Sequence, residues 1–287
     1  MNPLANTELI LNADKSVYHL HLRPEHIAET IFLVGDPDRV KEVSSYFDTI
    51  EYQIQHREFV THTGYLGKKR LSVISSGIGT DNVEILLTEL DALVNIDLDT
   101  RQIKSDLTSL RMIRLGTSGI LRPEIEVGTI LMTEFAIGLD NLMYFYQQNQ
   151  TKKEKEIAQS INEYFSLGFM PSCTQAHEKW FEQWQQKTNF IKGNTLTCPG
   201  FYAPQGRELR IKNTFQNLKE KYYSFDYQGF KLTNLEMETA GYYAFGRLFG
   251  HQIISINALL ANRYTGQFAE NPSQIVKNMI EIVLDKI

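Results

Sequence analysis

Thr30-Ile31-Phe32-Leu33-Val34-Gly35-Asp36-Pro37-Asp38-Arg39 is the stretch that decides the fold. Five apolar or β-branched residues run into glycine, aspartate and proline, the pattern of a buried strand that stops at a turn. Past the turn, Asp38 is placed to cap a helix reaching Phe47, with Val40, Val43 and Tyr46 at helical spacing. Further strands are expected over 50–55, 58–63 and 71–75, the last two split by the turn Gly64-Tyr65-Leu66-Gly67. Gly77-Ile78-Gly79 then leads into a helix over 82–93, and polar residues over 95–108 read as a surface excursion. A strand over 112–115 opens onto the turn Gly116-Thr117-Ser118-Gly119, and another covers 127–137. Strands over 193–198 and 253–260 bracket a helix over 237–249, and a last helix covers 272–287. Strand, glycine turn and helix in repetition predict an α/β fold, a central mixed β-sheet flanked by helices. Residues 1–287 read as a single domain, with a polar N-terminal extension over 1–16 and a helical insertion at about 144–189. Within that insertion Trp180, Phe181 and Trp184 have the spacing of a core stripe.

With 42% hydrophobic and 22% charged residues in 287, the chain is too apolar for disorder and long enough for a sizeable core. Its 29 basic and 34 acidic residues leave a net charge of −5, so no global field favours nucleic acid or an anionic membrane. No stretch approaches the roughly 20 apolar residues of a membrane span, and the first residues lack a basic-then-apolar leader. A soluble, cytoplasmic protein is expected. Cys173 and Cys198 lack CxxC spacing, which argues against a metal cluster or disulfide framework and fits a reducing compartment.

Three glycine-rich strand ends stand out: residues 35–39, Gly77-Ile78-Gly79, and residues 116–119 preceded by Arg114. Ligands gather at strand ends in α/β sheets. Glycine lets backbone N–H groups approach an anion, and arginine adds a bidentate fork. Arg39 and Arg114, each beside such a turn, suggest an oxyanion pocket, while tight packing explains any one turn alone. Asn82 stands where a dinucleotide fingerprint needs its third glycine, and no Gly-Lys-Ser/Thr exists for a P-loop. Glu236-Met237-Glu238 opens an apolar helix, where carboxylates either cap the helix or grip a sugar diol. Phe201-Tyr202-Ala203-Pro204-Gln205-Gly206-Arg207 is either a turn or a device that stacks on and reads a planar polar ring.

In this order, the segments resemble the nucleoside phosphorylases, and among them the uridine phosphorylase branch. The likeness rests on Val17-Tyr18-His19-Leu20, 35–39, His56-Arg57-Glu58-Phe59, 76–79, 114–119 and 236–238, and is weakest over 95–109 and 144–189. It implies that Gly35, Arg39, Arg114 and Thr117 cradle phosphate, joined by Arg57 from a neighbouring subunit. It implies that His19 crosses the same interface to the ribose. Glu238 would hold the ribose diol, with Met237 packing on the sugar and Glu236 in support. Phe201, Gln205 and Arg207 would stack on and read uracil, with Ser118 and Gly119 lining the base and Arg263 bracing Arg207.

Purine-type relatives carry a Ser-Asp pair where this chain reads Leu260-Ala261-Asn262-Arg263, which disfavours a purine-acid mechanism. The resemblance therefore implies phosphorolysis of uridine, with deoxyuridine or thymidine as further candidates, in pyrimidine salvage. Phosphate would be a co-substrate, with no metal or organic cofactor. Some relatives hold a monovalent cation near the positions of Glu58, Ile78 and Asn82, and the departure at 77–82 puts that site in doubt. A homodimer or hexamer is implied. The rivals are purine phosphorolysis, a nucleoside hydrolase, and a nucleoside-binding protein without catalysis.

Overall fold

Residues 3–287 are described by the computed structural model; Met1 and Asn2 of the N-terminal extension lie outside them. The chain divides into two units, the first comprising the chain to Ile113 with Phe245–Gln252, the second Arg114–Ala244 with Ile253–Ile287.

The first unit contains β1 (Thr30–Val34), α1 (Pro37–Ser44), β2 (Thr49–His56), β3 (Phe59–Leu66), β4 (Lys69–Ser75), α2 (Thr80–Asn95), and the short pair β5 (Ile96–Asp97) and β6 (Gln102–Ile103). Its sheet has the order β1-β4-β3-β2. β1 lies parallel to β4, with Thr30 opposite Leu71 and Val34 opposite Ser75, and the remaining pairs are antiparallel. Ile31, Phe32, Leu33 and Val34 are all buried, so β1 reads as a continuous apolar run instead of an alternation.

Local chemistry corrects three boundaries here. Asp36, not Asp38, caps α1: its carboxylate accepts the Asp38 backbone N–H at 3.0 Å. Pro37 then takes the first helical position, where its missing N–H costs nothing. Gly64 lies inside β3, and the turn comes instead at Gly67, whose φ of +58° favours glycine. The excursion over 95–108 contains the β5–β6 hairpin. Asn95 ties it back, its amide oxygen accepting the Thr108 N–H at 2.6 Å and its nitrogen donating to the Thr108 carbonyl at 3.2 Å.

His251 gives this unit an acid-sensitive point. Its side chain is fully buried, its Nδ1 accepts the Leu110 N–H at 3.2 Å, and its Nε2 is 3.5 Å from Asp91 Oδ1. Burial pushes its pKa down to about 4, from 6.5 in the open chain. The folded protein therefore holds it neutral, and the stability linked to it is complete above about pH 6.5 and lost as pH falls toward 4. That loss is at most about 3 kcal/mol. Denaturant titrations across this window should show it, and His251→Phe should flatten it.

The second unit takes β7 (Arg111–Ile120) from Arg114 onward. It continues with β8 (Ile130–Gly138), α3 (Lys152–Phe165), β9 (Ser172–Gln175), α4 (Glu178–Lys187) and β10 (Ile191–Thr197). Then come α5 (Leu218–Ser224), β11 (Asp226–Tyr227), β12 (Phe230–Lys231), β13 (Asn234–Glu236), α6 (Thr239–Phe249, in this unit to Ala244), β14 (Gln252–Asn262, here from Ile253) and α7 (Pro272–Lys286). The strands run in the order β13-β10-β8-β14-β7. β13 also pairs with β7, Asn234 opposite Ile120 and Leu235 opposite Gly119, so five strands close on themselves.

Gly116 and Gly119 lie within β7, not in the expected turn. Strand alternation puts Arg114 and Gly116 on one face, and a Cβ on Gly116 would stand 1.9 Å from Arg114 Nη1. Glycine here makes room for a guanidinium; it does not bend the chain.

The insertion is not wholly helical. Between α3 and α4, β9 adds antiparallel to β8, with Phe135 opposite Gln175. Buried Glu154 joins the two parts, accepting the Thr151 N–H at 2.7 Å and the Gln175 N–H at 2.6 Å. Trp180, Phe181 and Trp184 are buried on α4, as their spacing predicts. Ile157, Ile161 and Phe165 share a core cluster with Leu196, Leu218 and Tyr222. Among the described residues, no helix is long and apolar enough to cross a membrane.

Candidate active site

Arg114 is the centre of the second unit's polar chemistry. Only 3% exposed, its guanidinium places Nη2 2.7 Å from Glu238 Oε2 and 2.8 Å from Glu236 Oε2. Nη1 donates to Asn257 Oδ1 at 2.7 Å and reaches Ser255 Oγ at 3.4 Å. Burial works against the arginine's charge, but the two carboxylates outweigh it and hold its pKa above the ordinary value.

Glu236 ends β13 and does two jobs. Its Oε1 accepts the Thr197 hydroxyl at 2.6 Å. Its Oε2 accepts the backbone N–H groups of Glu238 and Thr239 at 3.0 and 2.9 Å and the Thr239 hydroxyl at 2.8 Å. The carboxylate thus satisfies orphan donors at the start of α6 while anchoring Arg114. The capping reading of the Glu236-Met237-Glu238 motif therefore applies to Glu236, while the Glu238 carboxylate accepts from Arg114. Met237, between them, is half-buried.

A second cluster forms on the segment after β10. Ala203–Gln205 makes one turn of 3-10 helix, ended by Gly206 at φ +71°. Arg207 Nη1 donates to Gln205 Oε1 and to the Phe201 carbonyl, both at 2.5 Å. Its guanidinium lies over the Phe201 ring, 3.7 Å from the centroid. Burial, then the neighbouring Arg263, lowers the Arg207 pKa to about 10. From below, Asn213 Nδ2 donates to the Ala203 carbonyl and the Tyr222 hydroxyl to the Pro204 carbonyl, each at 2.6 Å. Gln205 is left with its amide N–H groups to offer, while the Phe201 ring stays half exposed. That is a flat apolar face beside directed donors.

β7 supplies Thr117, Ser118 and Gly119. Ser118 Oγ accepts from Asn234 Nδ2 at 3.0 Å. A Cβ on Gly119 would stand 3.3 Å from Arg263 Cγ, so glycine lets Arg263 approach. Asn262 is fully engaged: its Nδ2 donates to the Arg122 and Ile125 carbonyls, both at 3.1 Å, and its Oδ1 accepts the Tyr264 and Thr265 N–H groups at 2.9 and 3.0 Å. It builds a turn and has no proton to give a base.

In the first unit, His19 Nδ1 is 2.6 Å from Glu89 Oε1, and its carbonyl accepts from His56 Nδ1 at 2.8 Å. Arg57 turns the β2–β3 hairpin at φ +54°, an uncommon conformation outside glycine, and lies 5.7 Å from the Tyr18 ring centroid. Gly35 faces the Gly77 carbonyl, 3.4 Å from where its Cβ would be. Arg39 is half-buried on α1. Glu58 and Asn82 side chains flank Gly77, which leaves no space for a Cβ. Among the described residues, no group of three or more His, Cys, Asp or Glu is arranged to hold a metal ion.

The structure brings Arg114, Glu236 and Glu238 into one cluster and Phe201, Gln205 and Arg207 into another. It adds residues the motifs did not reveal: Thr197, Thr239, Ser255 and Asn257 around Arg114 and Glu236, and Asn234 beside Ser118. Their signal is present in the sequence as polar residues two apart within apolar strands, Thr195 and Thr197, Ser255 and Asn257.

The sequence profile of the phosphorylase superfamily matches residues 29–286. A uridine phosphorylase of Thermococcus kodakarensis is 28% identical over 88% of this chain and 80% of its own length. A DeoD-type purine nucleoside phosphorylase of Colwellia psychrerythraea is 25% identical over 94% of this chain and 98% of its own. A crystal structure of a Trypanosoma brucei nucleoside phosphorylase, described as showing uridine phosphorylase activity, superposes with a TM-score of 0.88 at 27% identity, covering 97% of this chain and 98% of that one. These likenesses agree with the resemblance carried by the motifs and with the α/β architecture, and the chain belongs to the phosphorylase superfamily.

Proposed function

We propose that the protein cleaves uridine by phosphorolysis to uracil and ribose 1-phosphate in pyrimidine salvage, with deoxyuridine and thymidine as further substrates. The observation that carries this reading is the Phe201–Gln205–Arg207 cluster, which offers a ring face together with donors suited to a base rich in carbonyls. Asn262, locked into its turn, leaves a purine without the acid that protonates N7.

Breaking the N-glycosidic bond builds positive charge on the sugar and negative charge on the departing base. Arg207 and Gln205 donate to the base as it becomes an anion, a preorganised electrostatic contribution. The ribose diol donates to Glu238, and this competes with the pull of Glu238 on Arg114. Arg114, with Thr117, then serves the phosphate that attacks the anomeric carbon. Gly35, Arg39 and Arg57 carry further phosphate contacts in this proposal, and His19 the ribose 5′-hydroxyl. His19 and Arg57 act from a neighbouring subunit of a homodimer or hexamer. The match over 29–286 supports one functional domain, and two buried free cysteines suit a cytoplasmic setting.

Attack by phosphate from the face opposite the base inverts the anomeric carbon. Incubated with uridine and phosphate, the protein should produce a single phosphorus resonance of α-ribose 1-phosphate. A β-anomer, or uracil without a sugar phosphate, would overturn the reading.

A further inference from the structure

Inside the five closed strands lies a row of buried polar side chains, at least one from each strand. Arg114 and Ser118 come from β7, Asn257 from β14, Thr133 from β8, Thr195 from β10 and Asn234 from β13. Thr133, Thr195, Asn234 and Asn257 are wholly shielded from solvent. Buried polar groups are costly unless satisfied, and these satisfy one another in one direction only.

Proton counting fixes that direction. A guanidinium can only donate, so Asn257 turns its carbonyl oxygen to Arg114 Nη1, 2.7 Å away. Its amide nitrogen therefore faces Ser255 Oγ at 3.3 Å and Thr133 Oγ1 at 3.5 Å, the longest link of the row. Thr133 Oγ1, accepting there, gives its own proton to Thr195 Oγ1 at 2.6 Å. Thr195 in turn donates to Asn234 Oδ1 at 2.9 Å. The Asn234 amide nitrogen then donates to Ser118 Oγ at 3.0 Å. Every donor points from Arg114 toward Ser118, an arrangement in which successive hydrogen bonds polarise one another. Ser118 ends the row as an acceptor, and its hydroxyl proton has no acceptor among the described residues. It sits beside Gly119, the residue that Arg263 approaches, and Arg263 acts electrostatically on Arg207. The free proton is therefore at the base-reading end, while the row starts at the arginine assigned to phosphate.

We infer that Thr133, Thr195 and Asn234 are positioning residues that fix the Ser118 hydroxyl as a hydrogen-bond donor to a carbonyl oxygen of the base. The inference rests on the proposed uridine cleavage and adds to it a buried row that joins the two ends of the site.

Steady-state kinetics of Thr195→Val, Thr195→Ser, Ser118→Ala and the Ser118→Ala/Thr195→Val double variant test it, with thermal melting to verify folding. Thr195→Val keeps shape and removes the link. It should lower kcat/KM for uridine about tenfold and leave the KM for phosphate within about twofold. Thr195→Ser, which keeps the hydroxyl, should restore wild-type values. The double variant should lose no more than Ser118→Ala alone, because both changes remove the same donor. With 2-thiouridine or 4-thiouridine, the weaker acceptor at the contacted position should shrink the effect of Ser118→Ala for one of the two. Fully additive losses, equal losses for phosphate and uridine, or unchanged kinetics in Thr195→Val with an active wild type would overturn the row alone. A wild-type protein that does not cleave uridine would overturn the functional reading and the donor role together. If Thr195→Val does not fold, Thr133→Val breaks the neighbouring link and is read by the same criteria.

Discussion

Arg114→Ala is expected to cut phosphorolysis of uridine by about 10³-fold, the upper range for removing one preorganised charge donor. The KM for phosphate should rise most. Uridine binding should also weaken, because Glu238 is held in place by the same guanidinium at 2.7 Å. A change confined to phosphate would mean that Glu238 keeps its position without Arg114. The substitution should also destabilise the fold. It removes the guanidinium that bridges the buried Glu236 and Glu238 carboxylates, and breaking a buried ion cluster from one side costs about 3–5 kcal/mol. Urea titrations of wild type and variant measure this directly. An unaltered phosphate KM would refute the assignment of Arg114.

Arg207→Ala should lower kcat/KM for uridine by about 10²–10³-fold, with a much smaller loss for a nucleoside whose base is already a good leaving group. The argument is one of charge development: Arg207 matters in proportion to the negative charge the base must acquire. Two secondary losses add to it. Gln205 loses the donor that holds its carbonyl oxygen at 2.5 Å, and the Phe201 ring loses the guanidinium covering one face. Arg207→Lys should recover little, since an ammonium neither forks nor stacks as a guanidinium does. Because burial brings the Arg207 pKa to about 10, the wild-type rate should be insensitive to this group below that pH and should decline above it as the cation is lost. Equal losses for good and poor leaving groups would show that Arg207 only shapes the turn.

The parts of the fold written in local pattern were legible. The apolar run 30–34 and the helical spacing of Trp180, Phe181 and Trp184 led to a buried strand and a buried helical face. Gly116 misled because glycine in sequence signals a turn, whereas here it answers to the volume of Arg114 two residues earlier on the same strand face. β9 was hidden because Ser172-Cys173-Thr174-Gln175 is too short and mixed to show an alternation, and it becomes a strand only through pairing with β8. The two arginine-centred clusters were marked by their motifs. The Thr and Asn residues supporting them were not, since threonine alternating with leucine looks like a strand with one wet face. Only closure of the five strands makes that second face an interior.

The central claim is tested most directly by following uridine, thymidine and inosine chromatographically, with phosphate and in phosphate-free buffer. The account predicts uracil release from uridine that requires phosphate, with far slower release of hypoxanthine from inosine. Uracil release without phosphate, or faster cleavage of inosine than of uridine, would contradict it.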